Sequence, residues 1–342
     1  MFVVDTCIDE DELTHLRDAL QQTLNLLPED ALVGLITFGT LVHVHELGFS
    51  DCPKSYVFRG EKEYTPQKVQ DMLGITPARG GGAQGQQGGA GGPIGGGGGP
   101  MGMSGAGRQP AVGRFLMPVG ECTFALEQVL EDLQKDPWPC QPDERVQRCT
   151  GTALNVAIGL LESSVPRQGS RIMTFIAGPP TVGKGAIVSR SKKENIRSHT
   201  DLAKNQAPMY KPALEFYTAL SEKAIANSIV VDVFACSLDQ VGTLELKGLV
   251  SRSGGLIVLA DKFDQSVFRE SLRRAFERLP DPPGGAPSGS NQLQMGFGGQ
   301  IEVIHSREFK ITGAIGPCAS LKKAGPGVSE NEMGVGYVDL YF

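Results

Sequence analysis

Three residue patterns in this sequence could do chemistry. The first, Gly178-Pro179-Pro180-Thr181-Val182-Gly183-Lys184-Gly185, follows an apolar run and fits the G-x-x-x-x-G-K part of a phosphate-binding loop. The match breaks at the eighth position. A magnesium-holding Ser or Thr and the start of a helix belong there, but Gly185 follows the lysine and Ile187-Val188 opens no evident helix. Pro179 and Pro180 also remove two backbone donors. The stretch reads as a turn leaving a central strand, with a P-loop-like NTPase using Gly178 to Lys184 as the rival. The second pattern is His43 and His45 on one face of a strand, with Cys52 beyond; no fourth ligand or zinc spacing completes it. The third is Phe2-Val3-Val4-Asp5, which delivers a carboxylate to the end of an apolar strand, where open parallel sheets place their sites. The sequence holds no Ser/His/Asp grouping, no G-x-S-x-G elbow and no carboxylate pair that spacing nominates as acid and base. It does not read as an enzyme, and no catalytic or cofactor-binding residue is assigned.

The elements that must position these groups alternate between strand and helix. After Asp5 comes a leucine stripe, Leu13, Leu16, Leu20, Leu24 and Leu27, spaced for a helix with one buried face. Asp9 with Glu12 three residues on reads as a variant capping box. Residues 31–38 form a doubly buried strand and 41–47 a half-exposed one; 122–133 and 152–161 are helical. Then come a strand at 171–177, a helix at 211–226, a strand at 229–235, a helix at 244–250, a strand at 256–259 and a helix at 265–279. That alternation is the signature of a mostly parallel sheet covered on both faces, an α/β fold. Glycine dominates residues 79–108, which are expected to form a disordered surface insertion within a domain spanning 1–280. A Pro/Gly/Ser linker at 281–300 precedes residues 301–342, where Ile301 to His305 and Lys310 to Ile315 read as antiparallel strands of an incomplete β-sandwich.

Composition narrows the function class. A chain of 342 residues with 40% apolar content can bury a full core. Its net charge of -6 argues against a nucleic-acid binder held by bulk charge. No run approaches the twenty apolar residues of a membrane span, and no secretory leader precedes the first strand, so the expectation is a soluble intracellular protein. Seven scattered cysteines with no C-x-x-C pair argue against a disulfide framework. One segment runs against the acidic balance: Lys184, Arg190, Lys192, Lys193, Arg197, Lys204 and Lys211 suit an anionic membrane or an acidic partner.

Asp5-x-Cys7-x-Asp9 resembles the D-x-S-x-S motif of von Willebrand factor A domains, which hold magnesium at the strand end, and Thr150 or Thr152 falls where such domains place a loop threonine. Asp5, Asp9 and Thr152 are therefore the weak candidates for a metal site. A hard cation wants oxygen, however, and Cys7 offers sulfur. Longer segments carry a closer resemblance. Ala31 to Gly39, Val44-His45-Glu46-Leu47-Gly48, Lys54 to Gly60, Arg148-Cys149-Thr150-Gly151-Thr152, Phe175-Ile176-Ala177-Gly178-Pro179-Pro180 and Lys310 to Cys318 are similar to the trunk of the Sec-twenty-three family. The resemblance implies a von Willebrand factor A-like domain in an inner-coat subunit of COPII vesicles, which carry protein from the endoplasmic reticulum to the Golgi. Implied partners are the cargo-binding coat subunit, a Sar-type small GTPase whose hydrolysis the full-length family stimulates, and outer-coat subunits. Peripheral contact with the endoplasmic reticulum membrane from the cytoplasm is implied too, with Lys184, Arg190, Lys192, Lys193 and Arg197 as the candidate surface. Family zinc belongs to an amino-terminal finger and the activating arginine to a carboxyl-terminal domain; neither pattern is found in this sequence, which reads as a truncated family member.

Overall fold

In the computed structural model the described residues are 1–49, 51–76, 110–278 and 293–299, with 306, 308–309, 316, 318–320 and 336–338 beyond them. The glycine stretch, Ile301 to His305 and Lys310 to Ile315 lie outside the described residues.

The chain opens with strand β1 (Phe2–Asp5), buried along its whole length, and helix α1 (Glu10–Leu24), which buries Leu13, Leu16, Leu20 and Leu24 as the stripe requires. The single strand expected over 31–38 is two. β2 (Leu32–Val33) pairs away from the main sheet, and β3 (Leu35–Phe38) lies beside β1. The break is Gly34, where a Cβ would meet the Phe115 carbonyl at 2.7 Å. β4 (Leu41–His45) and β5 (Ser55–Arg59) follow as an antiparallel hairpin, then α2 (Pro66–Leu73). Next come β6 (Met117–Pro118), which pairs with β2, α3 (Val119–Glu131) and α4 (Thr150–Ser164).

The second half supplies β7 (Ser170–Ile176), α5 (His199–Ala203), α6 (Tyr210–Ala226), β8 (Ile229–Cys236), α7 (Thr243–Ser253), β9 (Ile257–Ala260) and α8 (Ser266–Arg274). α8 ends five residues before the helix expected to reach 279. A short antiparallel pair, β10 (Cys318–Ser320) and β11 (Gly336–Val338), is also described, with β10 against α7.

The main sheet has seven strands in the order β5-β4-β3-β1-β7-β8-β9. β1 is parallel to both β3 and β7, β8 and β9 continue in parallel, and β4 and β5 are antiparallel. This is the doubly wound, mostly parallel arrangement expected of a von Willebrand factor A-like domain. One face carries α1, α3 and α8 over a core that includes Phe175, Phe234 and Phe268. The other carries α2, α4, α6 and α7, with α4 buried on almost every side. The chain leaves β1 toward β3 and later returns to β7 on the opposite side. The ends of β1 and β7 therefore flank the crevice where such sheets concentrate function.

Residues 293–299 fall in the expected linker but are docked. Leu293 bridges to Arg278, Leu293 and Met295 pack on the core, and Phe297 sits over Gly169.

Candidate functional site

Asp5 ends β1 inside that crevice, fully buried. Its Oδ1 accepts the Cys7 N–H at 2.8 Å, and its Oδ2 accepts the Ala177 N–H at 2.9 Å and the Arg148 Nε–H at 2.6 Å. Arg148 is itself buried and donates further to the Cys7 carbonyl at 2.8 Å and the Pro179 carbonyl at 3.2 Å. Its backbone N–H reaches the Thr181 hydroxyl at 3.0 Å, and its carbonyl accepts from the N–H groups of Thr181 and Val182. One guanidinium thus ties together the loop after β1, the entry to α4 and the loop after β7. Five fixed donors and a permanent charge suit it to that task.

The metal reading fails on chemistry. Both Asp5 oxygens are in use, and a cation belonging to the protein already sits against the carboxylate. Cys7 is held as a neutral thiol: burial, then the negative charge of Asp5, pushes it far up, and its Sγ faces the Gln147 carbonyl at 3.3 Å and Asp136 at 3.5 Å. Thr152 spends its hydroxyl on the Gly60 carbonyl at 2.7 Å. Asp9 is exposed and pairs with Lys135 at 2.7 Å, with no side-chain bond to the start of α1. The expected capping box is therefore absent, because Glu12 turns instead to the Phe263 N–H at 2.7 Å. Among the described residues no group of three or more His, Cys, Asp or Glu gathers as a metal site. The donors present do not fit magnesium, nor the zinc that the family resemblance attaches to a finger.

The Gly178 to Lys184 stretch is a packed turn. A Cβ on Gly178 would meet the Arg148 guanidinium at 2.5 Å, and Gly183, at φ +77°, lies so close that its Cβ would meet the Gly60 carbonyl at 2.3 Å. The Pro180 carbonyl accepts from Ile187, and no helix begins before α5 at His199. A phosphate cradle needs free N–H groups at a helix start, so the NTPase geometry is not formed.

His45 lies against the Thr37 hydroxyl at 3.0 Å, and burial, reinforced by the neighbouring His43, lowers its pKa to about 4. Burial lowers His43 as well, opposed by Asp136, while Cys52 is exposed.

Three of the five candidate basic residues are engaged internally. Arg190 pairs with Glu144, and Lys192 donates to the Pro142 carbonyl at 2.9 Å. Arg197 bonds Glu245, which is fully buried, and Gln240. Lys184 is only 4.0 Å from Glu63 with both side chains exposed, and Lys193 is exposed. The residue missed in the sequence is Arg148, 143 positions from its carboxylate, with no spacing signal to link them.

The profile of the Sec23/Sec24 trunk domain matches residues 1–278. The chain belongs to that family. It is 43% identical over 336 residues to protein transport protein SEC23 F of Arabidopsis thaliana, an alignment covering 98% of this chain and 41% of that relative. The chain thus spans less than half the length of this relative. Among solved structures it is similar to the human COPII-coat protein Sec24c, at TM-score 0.49 and 14% identity, covering 81% of this chain and 32% of that one. A von Willebrand factor type A protein from Catenulispora acidiphila aligns at TM-score 0.40 and 10% identity, covering 81% and 42%. In this trunk, then, the strand end that resembles a metal site is closed by an internal salt bridge.

Proposed function

We propose that this chain is the trunk of a COPII inner-coat subunit, a structural component of vesicles moving protein from the endoplasmic reticulum to the Golgi. It acts by binding, pairing with the cargo-binding coat subunit and contacting the Sar-type small GTPase, whose hydrolysis full-length members stimulate. The observation that carries this reading is the trunk match over residues 1–278 together with 43% identity to a SEC23 protein across nearly the whole chain. The crevice supports a structural role for its own residues: Asp5 and Arg148 are paired with each other and hold the surrounding loops. No helix among the described residues is long and apolar enough to cross a membrane. Of the candidate basic side chains, the exposed Lys184 and Lys193 are the ones this reading assigns to anionic headgroups.

The test is a pull-down of the purified full chain with the cargo-binding subunit and with the Sar-type GTPase carrying a non-hydrolysable GTP analogue. Retention of either partner supports the reading. Failure to retain both, with the chain folded by circular dichroism, overturns it.

A further inference from the structure

The carboxyl end of the sheet carries a second feature, at the edge strand, that the Asp5 crevice does not use. Among the described residues β9 pairs with β8 alone. Its run Leu256-Ile257-Val258-Leu259-Ala260 has no charge and no proline, the devices that usually keep an edge from accepting another strand. The opposite edge is different: β5 is flanked by Lys54 and ends in Arg59.

Beside the end of β9 lies a cleft of about 570 Å³ whose walls include Leu238, Leu244 and Leu259. Leu238 is 84% exposed and Leu259 59%, so their apolar surface stands in water. Asp239 and Asp261 line the same cleft, are exposed, and make no ion pair among the described residues. Of the basic groups nearby, Arg197 is held by Glu245 and Gln240, Lys192 beside Asp239 donates to the Pro142 carbonyl, and His199 lines the cleft, while the Asp261 carboxylate accepts only from Gln265 at 3.4 Å among the bonds described. Apolar walls, two exposed aspartates and a strand edge that is unpaired among the described residues thus meet at one place.

We propose that the β9 edge and this cleft take an extended, basic and apolar peptide segment of a partner protein. Its backbone adds to β9, a bulky apolar side chain enters between Leu238, Leu244 and Leu259, and basic residues face Asp239 and Asp261. Main-chain bonds supply the affinity of such strand addition, and side-chain pockets supply its specificity. Antiparallel pairing, the more stable geometry, places the basic residues at the amino end of the peptide, beside the carboxyl end of β9.

The probe is a fluorescein-labelled decapeptide of two lysines, a leucine and then alternating valine and threonine, titrated with the full chain by fluorescence anisotropy. Saturable binding with a dissociation constant of about 10–100 μM is expected, as for short strand-adding peptides. Leu238→Lys, and separately Asp239→Lys with Asp261→Lys, weaken it roughly tenfold or more. A peptide with glutamates in place of the lysines binds the native chain worse and the double-lysine variant better. That charge swap decides the matter even if a variant melts lower. N-methylation of alternate backbone amides, which removes the donors for β9, abolishes binding. Absence of saturable binding up to about 1 mM, binding that ignores the charge swap, or binding that tolerates N-methylation overturns the proposal.

Discussion

Replacing Arg148 with methionine tests the central physical claim, that a protein cation has taken the place of a metal. The substitution removes bonds to Asp5, to the Cys7 carbonyl and to the Pro179 carbonyl. Asp5 keeps the N–H groups of Cys7 and Ala177 but loses its countercharge in a site where its side chain is 0% exposed. A unit charge about 4 Å away at an effective dielectric of about 20 is worth ~4 kcal/mol, and breaking one side of a buried pair costs about 3–5 kcal/mol in practice. For a domain of this size that lowers the melting temperature by roughly 10 °C. The assay is urea unfolding followed by far-ultraviolet circular dichroism, completed as a cycle with Asp5→Leu and the double variant. The double variant recovers most of the loss, because two apolar side chains replace a buried pair at little cost. Magnesium and EDTA leave the melting temperature of the native chain unchanged. An Arg148→Met loss below about 1 kcal/mol, or a double variant that loses the sum of the two singles, refutes the reasoning.

Three further outcomes are expected. His45 is kept neutral down to about pH 4 in the fold, whereas an unfolded histidine takes a proton near 6.5. Its stabilising contribution is therefore complete above pH 6.5 and is lost as pH falls toward 4, by about 3 kcal/mol; His45→Gln should flatten that part of the pH profile of unfolding. Gly151→Ala puts a Cβ at 2.0 Å from the Lys184 carbonyl, a backbone atom held by its own turn, so a loss of about 3 kcal/mol or failure to fold is expected in the same urea assay. Lys184→Ala with Lys193→Ala should weaken binding to anionic vesicles by about 1 kcal/mol per residue without lowering stability, whereas Arg197→Met should lower the melting temperature by leaving Glu245 buried and unpaired. Co-sedimentation and thermal scans separate the two effects.

Local pattern made much of the fold legible. The leucine stripe of α1, the apolar runs that became β7 and β8, and the alternation of strand and helix are all short-range consequences of burial. α2 is a short helix whose signals are local: Thr65 caps it by accepting from the Lys68 N–H, Pro66 stands in its first turn, and Gly74 closes it at φ 63°. The site was less legible because its energetics are non-local. The acid at the end of β1 was visible, but nothing near it in sequence names Arg148. Asp9 and Glu12 have the types and spacing of a capping box, yet Lys135 and the Phe263 N–H, both distant in sequence, won those carboxylates. The basic segment shows the same limit: a count of lysines and arginines does not say which of them Glu144 and Glu245 hold.

The internal arginine also bears on how such a trunk can bind. A metal held at a strand end comes and goes with ion concentration and can complete its coordination with an acid from a partner. A guanidinium is part of the chain, and here each of its three nitrogens donates to Asp5 or to one of the two loops it joins. The loops after β1 and β7 are therefore tied to each other through one side chain. Lys184, Lys193, Leu238, Asp239 and Asp261 lie outside this network with exposed side chains. Binding at groups carried on a preorganised scaffold costs less ordering entropy than binding at a flexible segment, so the Arg148→Met variant should weaken any contact made by the two loops as well as the fold.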